Sequence, residues 1–249
     1  MRRWQVIATA GAVALAAVLV VVFWPGPTST HVASAAQPAA PPVLSIQTPS
    51  ATPTPTPTPT VVKKKAPPHD PVPAAGPTHF LLSGPAFSVS ANVCAMPAVF
   101  PLDPPGDQVH TVCWVDSGFG VAPGTAARGT TYVLGHAWSV QKLVLNPLSE
   151  YAAAHLGPAT QRPAGVTTYS VPSLLGKYTI TLTTSSGTLT YTVTDAYLVN
   201  KNDASGVTSL MNTSIPDRVV LITCAVRNGV DLPQNVILYA KLTSSRMTH

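Results

Sequence analysis

An all-β domain, closed or nearly closed into a barrel, is what this chain of 249 residues predicts. Three observations lead there. Runs rich in Val, Ile, Thr and Tyr recur after His79, and turn residues separate them. Helical stretches are few and short. No strand–helix–strand rhythm is present, which argues against an α/β fold.

Taken in order, Phe80–Val93 reads as a strand region with a break near Gly84-Pro85. Gln108–Val115 and Thr130–Leu134 read as strands. Asn146-Pro147 offers an N-cap followed by proline at the first helical position, so a short helix is expected over Leu148–Leu156. Tyr178–Thr183 and Thr188–Thr194 alternate, and Ser185-Ser186-Gly187 between them reads as a hairpin turn. Asp203 is placed to cap a second short helix over Val207–Met211. Val219–Thr223 and Val236–Leu242 supply the last strands.

The domain takes only part of the chain. Of 27 prolines, 15 precede position 79. Val6–Trp24 is an uncharged run long enough, as a helix of about 28 Å, to match a bilayer core. Arg2 and Arg3 place its short N-terminal side in the cytoplasm and export the rest. Residues 1–24 are therefore expected to be a single-pass anchor. The alternative is a signal peptide cleaved near Ala33-Ser34-Ala35, and both readings export the domain. Residues 25–78 read as a Pro/Thr-rich disordered linker, with a Thr-Pro repeat that favours extended polyproline II. Residues 79–249 are left as the folded domain.

The net charge of +5 resides mostly outside that domain. Arg2, Arg3 and Lys63 to Lys65 carry five positive charges, whereas from His79 onward nine Lys or Arg face eight Asp or Glu. Nucleic acid is therefore not an expected partner. Glu150 is the sole glutamate, and no carboxylate pair for glycoside chemistry is visible.

Three cysteines, Cys94, Cys113 and Cys224, sit in an exported and so oxidising context. Cys94 and Cys113 are close in sequence and form the candidate disulfide, leaving Cys224 as the odd thiol. An odd cysteine alone is most often a small buried hydrophobe. Here Cys224 ends the apolar run Val219-Val-Leu-Ile-Thr-Cys224, and His136 ends another, Tyr132-Val-Leu-Gly-His136. Two strand ends can bring a thiol and an imidazole together, and a cysteine needs such a base to become a thiolate at neutral pH. The bland reading is a histidine that bonds backbone. No Cys-x-x-Cys or His-x-x-x-His spacing exists, so zinc is not expected, and nothing calls for a cofactor. His110 and His155 have no visible partner.

These segments resemble the sortase family. Thr131-Tyr-Val-Leu-Gly-His136 is similar to the family's histidine segment, Leu221-Ile-Thr-Cys224 to its Leu-x-Thr-Cys signature, and Val236–Leu242 to its closing strand. The resemblance spans about residues 79 to 243, with the segments in the family's order. It implies an eight-stranded β-barrel and an extracytoplasmic cysteine transpeptidase of Gram-positive surfaces. Such enzymes cut an LPxTG-like sorting motif through a thioacyl intermediate and pass the protein to a cell-wall or pilin amine. Carried over, Cys224 is the nucleophile and His136 the proton shuttle. One element departs: Asn235 stands where the family carries an arginine that steadies substrate and oxyanion. An amide donates a hydrogen bond but no charge. Arg227, three residues past Cys224, is the other candidate for that work. A sortase-shaped peptide-binding module with little catalysis is the alternative function.

Overall fold

The computed structural model of the protein describes residues 69–99 and 103–248. The expected anchor, its cleavage-site alternative and most of the expected linker lie outside these residues. Among them, no helix is long and apolar enough to cross a membrane.

Ten strands form one sheet: β1 (Pro77–Ser83), β2 (Ser88–Pro97), β3 (Thr111–Ser117), β4 (Thr130–Leu134), β5 (Ala159–Gln161), β6 (Thr167–Ser170), β7 (Thr179–Thr184), β8 (Gly187–Asn200), β9 (Arg218–Arg227) and β10 (Val230–Met247). Their order is β10-β9-β4-β3-β2-β1-β7-β8-β6-β5, and β10 also pairs with β8. That second pairing closes eight of them into a barrel and leaves β6 and β5 outside the ring. The long β8 makes this possible. On one side Thr188–Thr192 pairs with β7 and Tyr197–Val199 with β6, while the other side pairs with β10.

Alternation along each strand separates two apolar clusters. Phe80, Leu82, Val133, Ile180, Leu221 and Leu238 belong to the barrel interior, which α1 (Asn146–Ala154) joins through Leu148, Ala152 and Ala153. Tyr132, Leu134, Val220, Ile222, Ile237 and Tyr239 alternate with them and form a second cluster on the outer face of β4, β9 and β10. Burial on both faces explains why Tyr132–Leu134 and Val219–Ile222 read as apolar without alternation. The second cluster is covered by the segment after β8, which holds a 3-10 turn at Ala204–Gly206 and the short α2 (Thr208–Met211).

Several elements depart from the sequence expectation for local reasons. The strand expected from Gln108 begins at Thr111, because the Asp107 carboxylate accepts the N–H groups of Val109 (2.9 Å) and His110 (3.3 Å) and holds a turn there. Asn146 is not the N-cap of α1; Leu145 is, and Asn146 lies inside the helix with its amide turned to the preceding loop. Asp203 makes no side-chain cap either. It leads into the 3-10 turn, and α2 starts only after the buried Val207. The Thr184–Gly187 turn does join β7 and β8, with Thr184 Oγ1 accepting the N–H groups of Ser186 and Gly187 at 3.1 Å each. Packed structure also reaches back before His79. Val72 is buried in the interior cluster, and Ser245 Oγ donates to the Asp70 carbonyl at 2.7 Å.

In the parallel β2–β3 ladder Cys94 stands directly opposite Cys113, with Cα atoms 4.4 Å apart, and the two form a disulfide. A crosslink at a sequence separation of 19 is expected to contribute about 3 kcal/mol. Denaturant unfolding of the Cys94→Ser/Cys113→Ser variant against the parent checks this. An unchanged midpoint would remove the bridge's stabilising role.

Candidate active site

Strand register alone assembles the site. In the parallel β4–β9 ladder Leu134 pairs with Ile222, and the Gly135 N–H continues it by donating to the Ile222 carbonyl at 3.2 Å. His136 and Cys224 each lie two residues beyond that last pair, and both line one cavity. In the antiparallel β9–β10 ladder Cys224 pairs with Asn235, and Asn235 in turn pairs with Val199 of β8. The register shift between Asp231 and Asn235 sets that alignment. Parity then directs the side chains. Cys224 follows Val220 and Ile222, and Asn235 precedes Ile237 and Tyr239, so both fall on the outer face. Cys224 and Asn235 thus stand side by side, and His136, just past the end of β4, lines the same cavity and completes the row.

The row borders a cavity of about 500 Å³. Its walls are largely apolar: Tyr132, Leu134, Phe119, Ile222, Ile237 and Met211 all contribute. The wall formed by the α2 segment is held from below. The Tyr132 hydroxyl donates to the Leu210 carbonyl at 2.7 Å. Burial pushes this phenol up to about 12, so it keeps its proton as a donor across ordinary pH. The buried Arg218 guanidinium donates to Thr130 Oγ1 (2.9 Å), to the Ser209 carbonyl (2.8 Å) and to the Asn212 carbonyl. It thereby gathers the backbone of this segment over the sheet.

Each residue of the row has its own support. β4 stops at Leu134, leaving β9 without a ladder partner on that side at Cys224. Ser149 of α1 fills the gap: its hydroxyl donates to the Cys224 carbonyl and accepts the Val226 N–H, both at 2.7 Å. Ser149→Ala leaves both groups buried and unpaired, and a stability loss of about 2–3 kcal/mol is expected. Thermal unfolding would show it, and a variant as stable as the parent would contradict it. The loop after His136 is held twice. Asn146 Oδ1 accepts the N–H groups of Trp138 (3.0 Å) and Leu143 (2.8 Å), and its Nδ2 donates to the Trp138 carbonyl (2.9 Å). Ser139 donates from its N–H and hydroxyl to the two oxygens of Asp231, at 2.9 Å each, tying this loop to the start of β10.

The His136 ring is engaged by the segment that precedes β3. Nε2 donates to the Pro104 carbonyl at 3.3 Å and lies 3.2 Å from Asp103 Oδ1. It bonds this segment rather than the Cys224 thiol, which is free and partly accessible. Arg227 goes elsewhere. It is exposed, beside the Asn228-Gly229 turn of the β9–β10 hairpin, and has the parity of Leu221 and Ala225, which face the interior cluster. It does not line the cavity. His110 pairs with Asp107 at 2.8 Å, and His155 stacks on Tyr151, both away from the row.

Sequence reading did not single out Ser149, Asp231, Asp103 or the cavity residue Lys201, and it marked Asn146 only as a helix cap.

No protein-family model matches the sequence, and no curated protein matches it. The structure is similar to that of Listeria monocytogenes sortase A, at 14% identity and a TM-score of 0.41, covering 68% of this chain and 90% of that one. It is also similar to a lid mutant of Corynebacterium diphtheriae sortase A, at 15% identity and a TM-score of 0.42, covering 67% and 70%. Sortase C-1 from Actinomyces oris matches at 16% identity and a TM-score of 0.41, covering 66% and 72%.

Proposed function

We propose that this domain is a sortase-like cysteine transpeptidase, held at the cell surface by the apolar segment 1–24. One observation carries the proposal: Cys224 and its cross-strand partner Asn235 line an apolar cavity together with His136, which follows the end of the neighbouring strand β4. A nucleophile, a proton shuttle and an amide donor are then within reach of one carbonyl placed over Cys224.

In the first half-reaction the Cys224 thiolate attacks the carbonyl carbon of the motif's threonine. The electron pair moves to oxygen, where the Asn235 amide is a donor. Collapse expels the amine of the next residue, and His136 supplies its proton. The thioacyl enzyme retains the N-terminal part of the surface protein. In the second half-reaction an amine of a cell-wall precursor or pilin attacks the thioester. His136 takes its proton, and Cys224 leaves as the thiolate. The apolar walls favour this amine over water by limiting solvent at the thioester.

The test is capture of the acyl enzyme. The full chain in detergent micelles is mixed with an LPxTG-type peptide and its mass is measured. Addition of the acyl fragment to Cys224, discharged by an added amine, supports the proposal. Absence of any adduct across a motif library would sink it. A second reading has one observation in its favour: His136 is bonded to the Asp103–Pro104 segment instead of the thiol. A peptide-binding module with little catalysis would hold the same peptides without becoming acylated.

A further inference from the structure

Lys201 is the one Lys or Arg among the described residues that lines the cavity, and no Asp or Glu lines it. It follows β8 at the parity of Tyr197 and Val199, both of which belong to the outer cluster. Its N–H donates to the Pro233 carbonyl at 3.0 Å, fixing the base of the side chain against the irregular part of β10. No ion pair engages its ammonium among the described residues. The side chain is exposed at the rim.

The positions along the row give this cation a direction. His136 follows the end of β4, β9 carries Cys224, β10 Asn235, and β8 comes next. A negative group, Asp103, stands beside His136 at the opposite end from Lys201. If His136 protonates the departing amine, the leaving part of the peptide lies toward β4. The acyl part then runs the other way, past Asn235 toward Lys201. Two strand spacings and two residues along β8 place the Lys201 backbone about 12 Å from that of Cys224. A lysine side chain covers roughly half of this. An extended peptide advances about 3.3 Å per residue, so the remaining gap is about two residues.

We infer that Lys201 selects an acidic side chain at the second residue on the acyl side of the cleaved bond. In an LPxTG-type motif this is position x. The inference rests on the proposed direction of acyl transfer and names the substrate class of the same site. Lys201 acts here as a specificity residue, not on the reacting atoms.

The experiment separates binding from chemistry. Fluorescein-labelled Leu-Pro-x-Thr-Gly peptides with Glu, Gln or Lys at x are titrated, by fluorescence polarisation, into the full chain carrying Cys224→Ala. The Glu peptide is expected to bind about three- to fivefold more tightly than the Gln peptide, as for a solvent-accessible ion pair. Adding Lys201→Ala should erase the difference while leaving Gln-peptide affinity unchanged. Lys201→Glu should turn the preference toward the Lys peptide. In the parent enzyme the same preference should appear in KM, with kcat little changed. Equal affinity for Glu and Gln peptides, a preference that survives Lys201→Ala, or no binding by any peptide would overturn the inference. Selective binding without acylation of the parent would leave the role of Lys201 standing and remove the transpeptidase reading instead.

Discussion

Cys224→Ala is expected to abolish thioacyl formation, and His136→Ala to lower acyl transfer by at least about a thousandfold, in each case in a folded domain. In the proposed mechanism the two act as one unit, so losing either removes most of what both supply. Without the sulfur there is no nucleophile. Without the imidazole the departing amine leaves unprotonated, and the incoming amine attacks while still carrying its proton. Neither substitution breaks a bond within the sheet, although His136→Ala loses the ring's bond to the Pro104 carbonyl. The Cys224 contacts that hold β9 are backbone ones, to Ser149 and across the ladder to Asn235. The His136 carbonyl keeps its bond from the Leu145 N–H at 3.0 Å whatever the side chain. Intact-mass detection of the acyl enzyme and single-turnover rates give the readout, with circular dichroism to verify the fold. Parent-like turnover in either variant would remove that residue from the mechanism.

The parts of this site that were legible in the sequence lie on strands buried on both faces. Thr130–Leu134 and Val219–Thr223 stand out because each contributes side chains both to the barrel interior and to the outer cluster. Their C-terminal ends therefore mark His136 and Cys224 without any knowledge of how the strands pair. The pairing itself has no local signature. β4 and β9 are parallel neighbours separated by four other strands in the chain, and the ladder that sets their C-terminal ends side by side is a property of the closed sheet. β5 was also out of reach, since Ala159–Gln161 is exposed along its length and no apolar alternation marks it. β10 was half legible. Val236–Leu242 carries the apolar alternation, but the strand extends beyond it at both ends, where β9 pairs with Val230 and Asp231 and β8 with Gln234 to Met247. The supporting residues were hidden for a different reason. Ser149 is an ordinary serine in a short helix, and Lys201 stands in the polar run Lys201-Asn-Asp. Only tertiary placement turns one toward the Cys224 carbonyl and the other toward the cavity.

Asn235→Ala is expected to reduce turnover about 100- to 1000-fold with little change in stability. The tetrahedral intermediate places a full negative charge on one oxygen, and removing a single donor aimed at such an oxygen typically costs that much. From sequence alone Asn235 and Arg227 were equal candidates, one for its position and the other for its charge. Register separates them. Asn235 is the cross-strand partner of Cys224, shares its face and lines the cavity. Arg227 has the opposite parity and lies beside the hairpin turn. The Asn235 amide makes no side-chain hydrogen bond to the described residues, so it is available to substrate, and deleting it leaves no buried partner unpaired. Arg227→Ala is accordingly expected to turn over peptide like the parent. Asn235→Arg fits the same outward, partly exposed position and should fold normally. It would restore a positive charge beside the developing oxyanion, so activity at or above that of the parent is the expected outcome. Single-turnover acylation rates for the three variants, alongside their melting temperatures, make the comparison. A slow Arg227→Ala together with an unaffected Asn235→Ala would reverse the assignment and require the hairpin to fold inward when substrate binds.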